Sequence, residues 1–201
     1  MNKKINISII GTRGYPYVYS GYETFVKQLS ERLVFKDCNV TVYCHKGLFY
    51  KRPKEINGIK LVYVPTIETK ILSQPVHSFL SIIHAGFSSV DVVLVVNSAN
   101  GPFGLLTKLF RIPTAINVDG LEWLRPKWKG LGSIYFKWAS KMATLFYDQI
   151  INDSDQMRKV YLELFKRDSK VIAYGANIRK SKNPDLINKW NLKQREYYLV
   201  I

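Results

Sequence analysis

Apolar residues along this chain fall into short runs bounded by turn residues: Ile5 to Ile10, Val40 to Cys44, Ile59 to Val64, Val90 to Val96, Thr114 to Val118, Gln149 to Ile151 and Val171 to Ala173. The runs are β-branched and nearly continuous rather than alternating, which predicts parallel strands covered on both faces. Between most of them the apolar positions recur at helical spacing: Tyr22 to Leu33, Pro75 to Phe87, Gly104 to Phe110, Ser133 to Phe146 and Ser154 to Phe165. In the first of these, Phe25, Val26, Leu29 and Leu33 share one face. The alternation predicts an α/β domain with a doubly wound, mainly parallel sheet. Internal repeats and low-complexity segments are absent from the sequence.

The end of the chain reads differently. After Tyr174-Gly175-Ala176 comes a polar tract, and then Tyr197-Tyr198-Leu199-Val200-Ile201 has the look of another buried strand. Either it completes the first sheet or it opens a second domain. The division adopted is a domain over residues 1–176, a linker over 177–196 and the first strand of a further domain over 197–201. At the other end, MNKKINISIIG carries two lysines and only a strand-sized apolar run, which does not match a signal peptide. No window approaches the about 18 uninterrupted apolar residues of a membrane span.

Composition adds one departure from the ordinary. At 201 residues, with 47% apolar and 22% charged positions, the chain can bury one core and is neither disordered nor fibrous. However, 30 Lys and Arg against 15 Asp and Glu give a net charge of +15, the balance of a protein that meets anions. Nucleic acid is disfavoured, because no recognition-helix signature or RNA-binding pattern accompanies the charge. Cys38 and Cys44 lie in or beside a strand-like run without metal-ligand spacing, as expected of reduced thiols in a cytosol. No metal site is expected.

Candidate chemistry concentrates at strand ends. In a doubly wound sheet ligands bind beyond the carboxyl ends of the strands, and the first strand-to-helix turn here is GTRGYPYVYSGYETFV. Gly11, Gly14 and Gly21 permit close backbone approach or positive φ, Arg13 adds a bidentate donor, and the helix that follows offers its N-terminal amides to an anion. Glu23 falls in that helix's first turn, where it also complements the dipole without any ligand. A second loop, NVDGLEWLRPKW, gathers Asp119, Glu122, Trp123, Arg125 and Lys127 at the same edge. Carboxylate, guanidinium and indole together can bind a sugar, or can form a surface ion-pair loop pinned by buried tryptophans. A third, around Asn97 and Asn100, either faces a ligand or caps the next helix.

The two loops, together with INDSDQMRKVY and VIAYGA, resemble the N-terminal half of a GT-B retaining glycosyltransferase of the family-four type, and most of all bacterial rhamnosyltransferases of surface-polysaccharide synthesis. The resemblance covers essentially the whole chain. It implies a Rossmann-like, acceptor-binding domain facing a donor-binding domain across a cleft. Gly11, Arg13, Gly14 and Gly21 would lie under the donor diphosphate and the acceptor, and Asp119 beside the transferred sugar. Ser20 stands where the subgroup usually has a second glycine, and the basic and acidic residues that hold the donor belong to a domain that begins where Ile201 ends the chain.

The same resemblance implies retaining transfer of a deoxyhexose, with a nucleoside-diphosphate sugar such as dTDP-rhamnose as donor and no cofactor. The acceptor would be a polyprenyl-diphosphate-linked saccharide at the anionic cytoplasmic face of the plasma membrane, in capsule or cell-wall synthesis. The basic and tryptophan-rich stretch from Trp123 to Lys141, and the apolar one from Ile71 to Phe87, would then serve peripheral docking, or pack on the sheet as ordinary helices, the reading preferred for the second. The alternative is a non-catalytic acceptor-binding module, or a split subunit completed by a separate donor-domain chain. His77 and His84 are expected to pack or hydrogen-bond rather than catalyse.

Overall fold

The computed structural model of the chain describes residues 3–16, 20–67, 69, 72–176, 183–193 and 195–198. The strands are β1 (Asn6–Ile10), β2 (Asn39–His45), β3 (Glu55–Ile56), β4 (Ile59–Val64), β5 (Val92–Val96), β6 (Thr114–Val118), β7 (Gln149–Asn152) and β8 (Lys170–Val171). The α-helices are α1 (Gly21–Phe35), α2 (Ser73–Gly86), α3 (Gly104–Leu109), α4 (Leu131–Phe146) and α5 (Asp155–Phe165), with 3-10 turns at Ser98–Phe103, Glu122–Leu124 and Pro184–Trp190 among others. The expected α/β alternation is present, and the strand and helix boundaries fall within a few residues of those read from the sequence.

The strands form one 8-stranded sheet in the order β3-β4-β2-β1-β5-β6-β7-β8. Its pairs are parallel apart from β3 with β4. That antiparallel edge was not anticipated. Glu55 pairs with Lys60 and Ile56 with Ile59, so Asn57 and Gly58 form a two-residue turn, both with positive φ (52° and 76°). A tight turn of this kind needs little apolar sequence, so a two-residue strand leaves no hydrophobic pattern.

Successive strand residues point to opposite faces, and the two faces carry two cores. Ile9, Val42, Cys44 and Val96 join Val26 of α1 on one face, with Phe25, Leu29 and Leu33 packed against them as their spacing predicted. Ile10, Tyr43, Val93 and Val95 join Ile82 of α2, Phe136 and Ala143 of α4, and Met157 and Tyr161 of α5 on the other. Both faces are therefore covered, which is why the strands read as unbroken apolar runs.

Topology then selects the site. From β1 the chain winds outward through β2 and β4, and α2 returns it to the opposite flank of β1, where β5 pairs. The turns leaving β1 and β5 meet at this switch point, at the carboxyl edge of the sheet, where ligands bind in doubly wound folds. The linker and terminal strand assigned to 177–196 and 197–201 fall partly outside the described residues, and Pro184–Trp190, inside the former, is a 3-10 turn.

Candidate functional site at the switch point

The turn after β1 is shaped by close approach. Gly11 has φ 108°, and a Cβ there would stand 2.4 Å from the carbonyl oxygen of Val96 and 2.9 Å from Asn100 Nδ2, so the turns after β1 and β5 touch. Gly14, with φ 129°, is held nearly as close, a Cβ there standing 2.8 Å from Cys44 and 2.9 Å from Phe49. Gly21 differs from both: it is the first residue of α1 and has open space where a Cβ would go. Its freedom serves room above the helix end rather than an unusual backbone angle. Tyr17, Val18 and Tyr19 of this loop lie outside the described residues.

The anion at this helix end is the protein's own. Glu23 is buried, its Oε1 accepts the backbone N–H of Arg13 at 3.1 Å, and its other oxygen is bonded by the hydroxyl of Ser20. The Arg13 guanidinium lies 4.0 Å from the same carboxylate and is partly exposed, while the Arg13 carbonyl accepts the N–H of His45 at 3.0 Å. A carboxylate in the first turn complements the dipole and fixes the loop. Glu23 therefore acts on the loop from beneath.

Asn97 and Asn100 are engaged within the fold. Asn97, at φ 76°, accepts the N–H of Ala99 at 2.9 Å and caps the 3-10 turn that follows. Asn100 donates to the Val96 carbonyl at 2.7 Å and is buried, with its Oδ1 unpartnered. The capping alternative describes Asn97.

The loop after β6 divides into a core half and an exposed half. Trp123 is buried, its ring packed on Tyr161 and Phe165 with centroids 6.5 and 6.0 Å apart, so its indole pins the loop to α5. Glu122 organises the rest: it accepts from Trp128 Nε1 at 2.9 Å and pairs with Arg125 Nε at 3.0 Å and Lys127 Nζ at 3.8 Å. Arg125 and Lys127 are exposed and keep donors to spare.

Asp119 is the centre of the arrangement. The hydroxyl of Tyr22, from the head of α1, donates to one carboxylate oxygen. Tyr174, just beyond β8, reaches the other at 3.4 Å and donates to the buried Asn117 at 2.8 Å. The Tyr174 ring rests on Phe25 of α1 at 5.0 Å. Residues from α1, β6 and the segment after β8 thus converge on one carboxylate. Burial pushes Asp119 above the usual carboxylate range; the Tyr22 bond opposes this, and the charges of Asp153 and Glu122 reinforce it. Burial and the neighbouring Asp119 charge push the Tyr22 phenol well above its ordinary value, so it stays a donor. A carboxylate accepts about four hydrogen bonds, so a group held by two phenols can still receive a sugar hydroxyl. Sequence reading found Asp119 but missed Tyr22, Tyr174 and Asn117, although each lies inside or beside a loop it singled out.

Two histidines behave as expected of packing residues. His84 meets the Tyr43 hydroxyl at 3.0 Å, and the buried His77 stacks on buried His45 with centroids 4.1 Å apart. Among the described residues no group of three or more His, Cys, Asp or Glu side chains converges as a metal site. Nor is any described helix long and apolar enough to cross a membrane.

In a parallel, doubly wound sheet, ligands bind beyond the carboxyl ends of the strands at the switch point. The fold matches solved GT-B UDP-glycosyltransferases. UGT2 of Phytolacca americana, complexed with UDP-2fluoro-glucose and pterostilbene, aligns with TM-score 0.57 at 11% identity, covering 96% of this chain and 58% of that one. UGT89C1 of Arabidopsis thaliana, complexed with UDP-L-rhamnose, aligns with TM-score 0.51 at 14% identity, covering 94% and 55%. The chain belongs to the family described as a domain of unknown function, DUF1972, whose model matches residues 4–177. A curated relative, an uncharacterized 42.6 kDa protein in the cps region of Klebsiella pneumoniae, is 36% identical over 61 residues. That match covers 30% of this chain and 16% of the relative, and the chain spans little more than half the length of the plant proteins.

Proposed function

We propose that this chain is the acceptor-binding half of a retaining glycosyltransferase of surface-polysaccharide synthesis, in which Asp119 orients the sugar at the reacting centre. The observation that carries the reading is Asp119 itself: a partly desolvated carboxylate, held by two phenols and with lone pairs to spare, at the carboxyl edge of a sheet that shares its fold with glycosyltransferases. The cps-region relative supports polysaccharide synthesis as the setting. The donor is a nucleoside-diphosphate hexose, with dTDP-rhamnose first, and the acceptor is a polyprenyl-diphosphate-linked saccharide met at the anionic inner face of the plasma membrane.

In this reading the chain's residues position and stabilise rather than bond covalently. In a front-face transfer with retention the nucleoside diphosphate leaves from the face the acceptor hydroxyl attacks, and the departing phosphate receives that hydroxyl's proton. Asp119 accepts a hydroxyl and sets a negative charge near the oxocarbenium-like centre, while Arg13, Arg125 and Lys127 give a positive potential to the leaving phosphates. Gly11 and Gly14 keep the turn after β1 low, and Gly21 leaves room above α1. Glu23 and Glu122 hold these cations' loops, and Trp123, Asn97 and Asn100 hold the loops' backbone. The donor's own site would lie on a second domain or a partner chain.

The test offers the purified chain dTDP-rhamnose and a polyprenyl-diphosphate-linked GlcNAc in liposomes, following product and the NMR signals of Tyr22, Asp119 and Tyr174. Product that disappears in Asp119→Asn supports a chain active by itself. Acceptor-dependent shifts at these residues without product support the acceptor half, whether of an enzyme or of a binding module. The absence of both product and shifts overturns the proposal, as does undiminished turnover in Asp119→Asn.

A further inference from the structure

We infer that the outer face of α4, continued by α3, is a docking surface for an anionic lipid bilayer. The inward face of α4 is Phe136, Ala139, Ser140, Ala143 and Thr144. On the opposite side, at heptad-like spacing, stand Leu131, Ile134, Trp138 and Leu145, of which Leu131 is 85% and Ile134 65% exposed. An apolar stripe on the outside of a packed helix is the reverse of what a water-facing helix carries. Lys137 and Lys141 border it, as on a helix that lies in a membrane interface.

The surface does not stop at α4. Lys108 donates to the Leu145 carbonyl at 2.7 Å and ties α3 to the end of the stripe, where Leu105 and Leu109, the latter 72% exposed, extend it. Charge selects the occupant. From Val92 to Val118 and from Leu131 to Tyr147 the chain has no Asp or Glu, yet it carries Lys108, Arg111, Lys137 and Lys141. A second copy would bring these cations against one another, whereas an anionic leaflet attracts each of them.

The placement relates this surface to the candidate site. The hydroxyl of Ser133 donates to the Trp123 carbonyl at 2.7 Å and that of Tyr135 to the Ala99 carbonyl at 2.9 Å, so the first turn of α4 is fastened to the loops after β6 and β5. A bilayer on the stripe would lie beside these two loops. This use rests on the glycosyltransferase reading, but binding to lipid does not.

The test is co-sedimentation of the full chain with phosphatidylcholine vesicles, with and without phosphatidylglycerol, in lipids that hold no saccharide acceptor. Binding is expected only with the anionic lipid, with Trp138 emission quenched by brominated acyl chains and the loss measured against Trp138→Phe. Ile134→Asp, and separately Lys137→Glu with Lys141→Glu, should each weaken binding at least about tenfold. Lys51→Glu with Lys54→Glu, exposed at the far flank of the sheet, makes the same change in net charge and should weaken it less than about threefold. Equal losses in the two lysine pairs would mean unfocused charge and would overturn the surface. So would wild-type binding by Ile134→Asp, or a dimer in solution that Ile134→Asp dissociates. Because the vesicles lack acceptor, failure here leaves the test of sugar transfer standing.

Discussion

Removing the Tyr22 hydroxyl tests the arrangement around Asp119 most directly. In Tyr22→Phe one carboxylate oxygen loses its phenol donor while the ring stays in place. A hydrogen bond to a charged group contributes about 1.5–3 kcal/mol, against about 0.5–1.5 kcal/mol between neutral groups. A double-mutant cycle of Tyr22→Phe and Asp119→Ala, followed by urea unfolding, should therefore give a coupling of about 2 kcal/mol near neutral pH. In acid, once Asp119 is protonated, the coupling should fall toward about 1 kcal/mol. The same deletion should raise the Asp119 pKa further, because the lost bond favoured the ionised form. The sign for stability follows: an acid whose folded pKa lies above its unfolded one is penalised when charged, so its contribution declines as pH rises through that window. The carboxyl signal of labelled Asp119 gives the titration. A coupling below about 0.5 kcal/mol, or an Asp119 titration unmoved by Tyr22→Phe, would refute the claim that the phenol holds this carboxylate.

Other consequences follow from the same geometry. His77, buried against His45, has its pKa pushed well below the usual imidazole value by burial and then by the neighbouring ring. The unfolded chain binds that proton first, so stability should decline as pH falls from the ordinary histidine range toward the folded pKa, and His77→Phe should flatten this slope in urea titrations. Gly11→Ala must place a Cβ 2.4 Å from the Val96 carbonyl at a φ of 108°, and should cost more than about 2 kcal/mol in urea unfolding. An unchanged midpoint would mean that the turns after β1 and β5 do not touch. Burial pushes the Cys44 thiol up to about 12, so a thiol reagent on the native chain should label Cys38 and spare Cys44 until denaturant is added.

Much of the fold was legible because its signals are local. Continuous β-branched runs and helical periodicity each depend on residues within a few positions of one another, and the faces they imply for α1 and the central strands are the faces that pack. The glycines marked the first turn, and their neighbours named the edge where a site would lie. The β3 hairpin escaped because two residues carry no period, and the direction of Trp123 stayed open because an aromatic in a polar loop reads the same whether it turns outward or in.

By itself, then, the sequence determined the element types, the α/β class, the excess of positive charge and the loops worth attention. Only the tertiary structure decided who meets whom. Tyr22 and Asp119 are 97 residues apart, and Tyr174 and Asp119 are 55. They converge because β1, β5 and β6 are neighbours in the sheet, an order set by the crossover that returns the chain to the far side of β1. The outer stripe of α4 was equally hidden. Periodicity marks a helix's apolar positions, but which of two faces is covered depends on the helices and loops that pack against it.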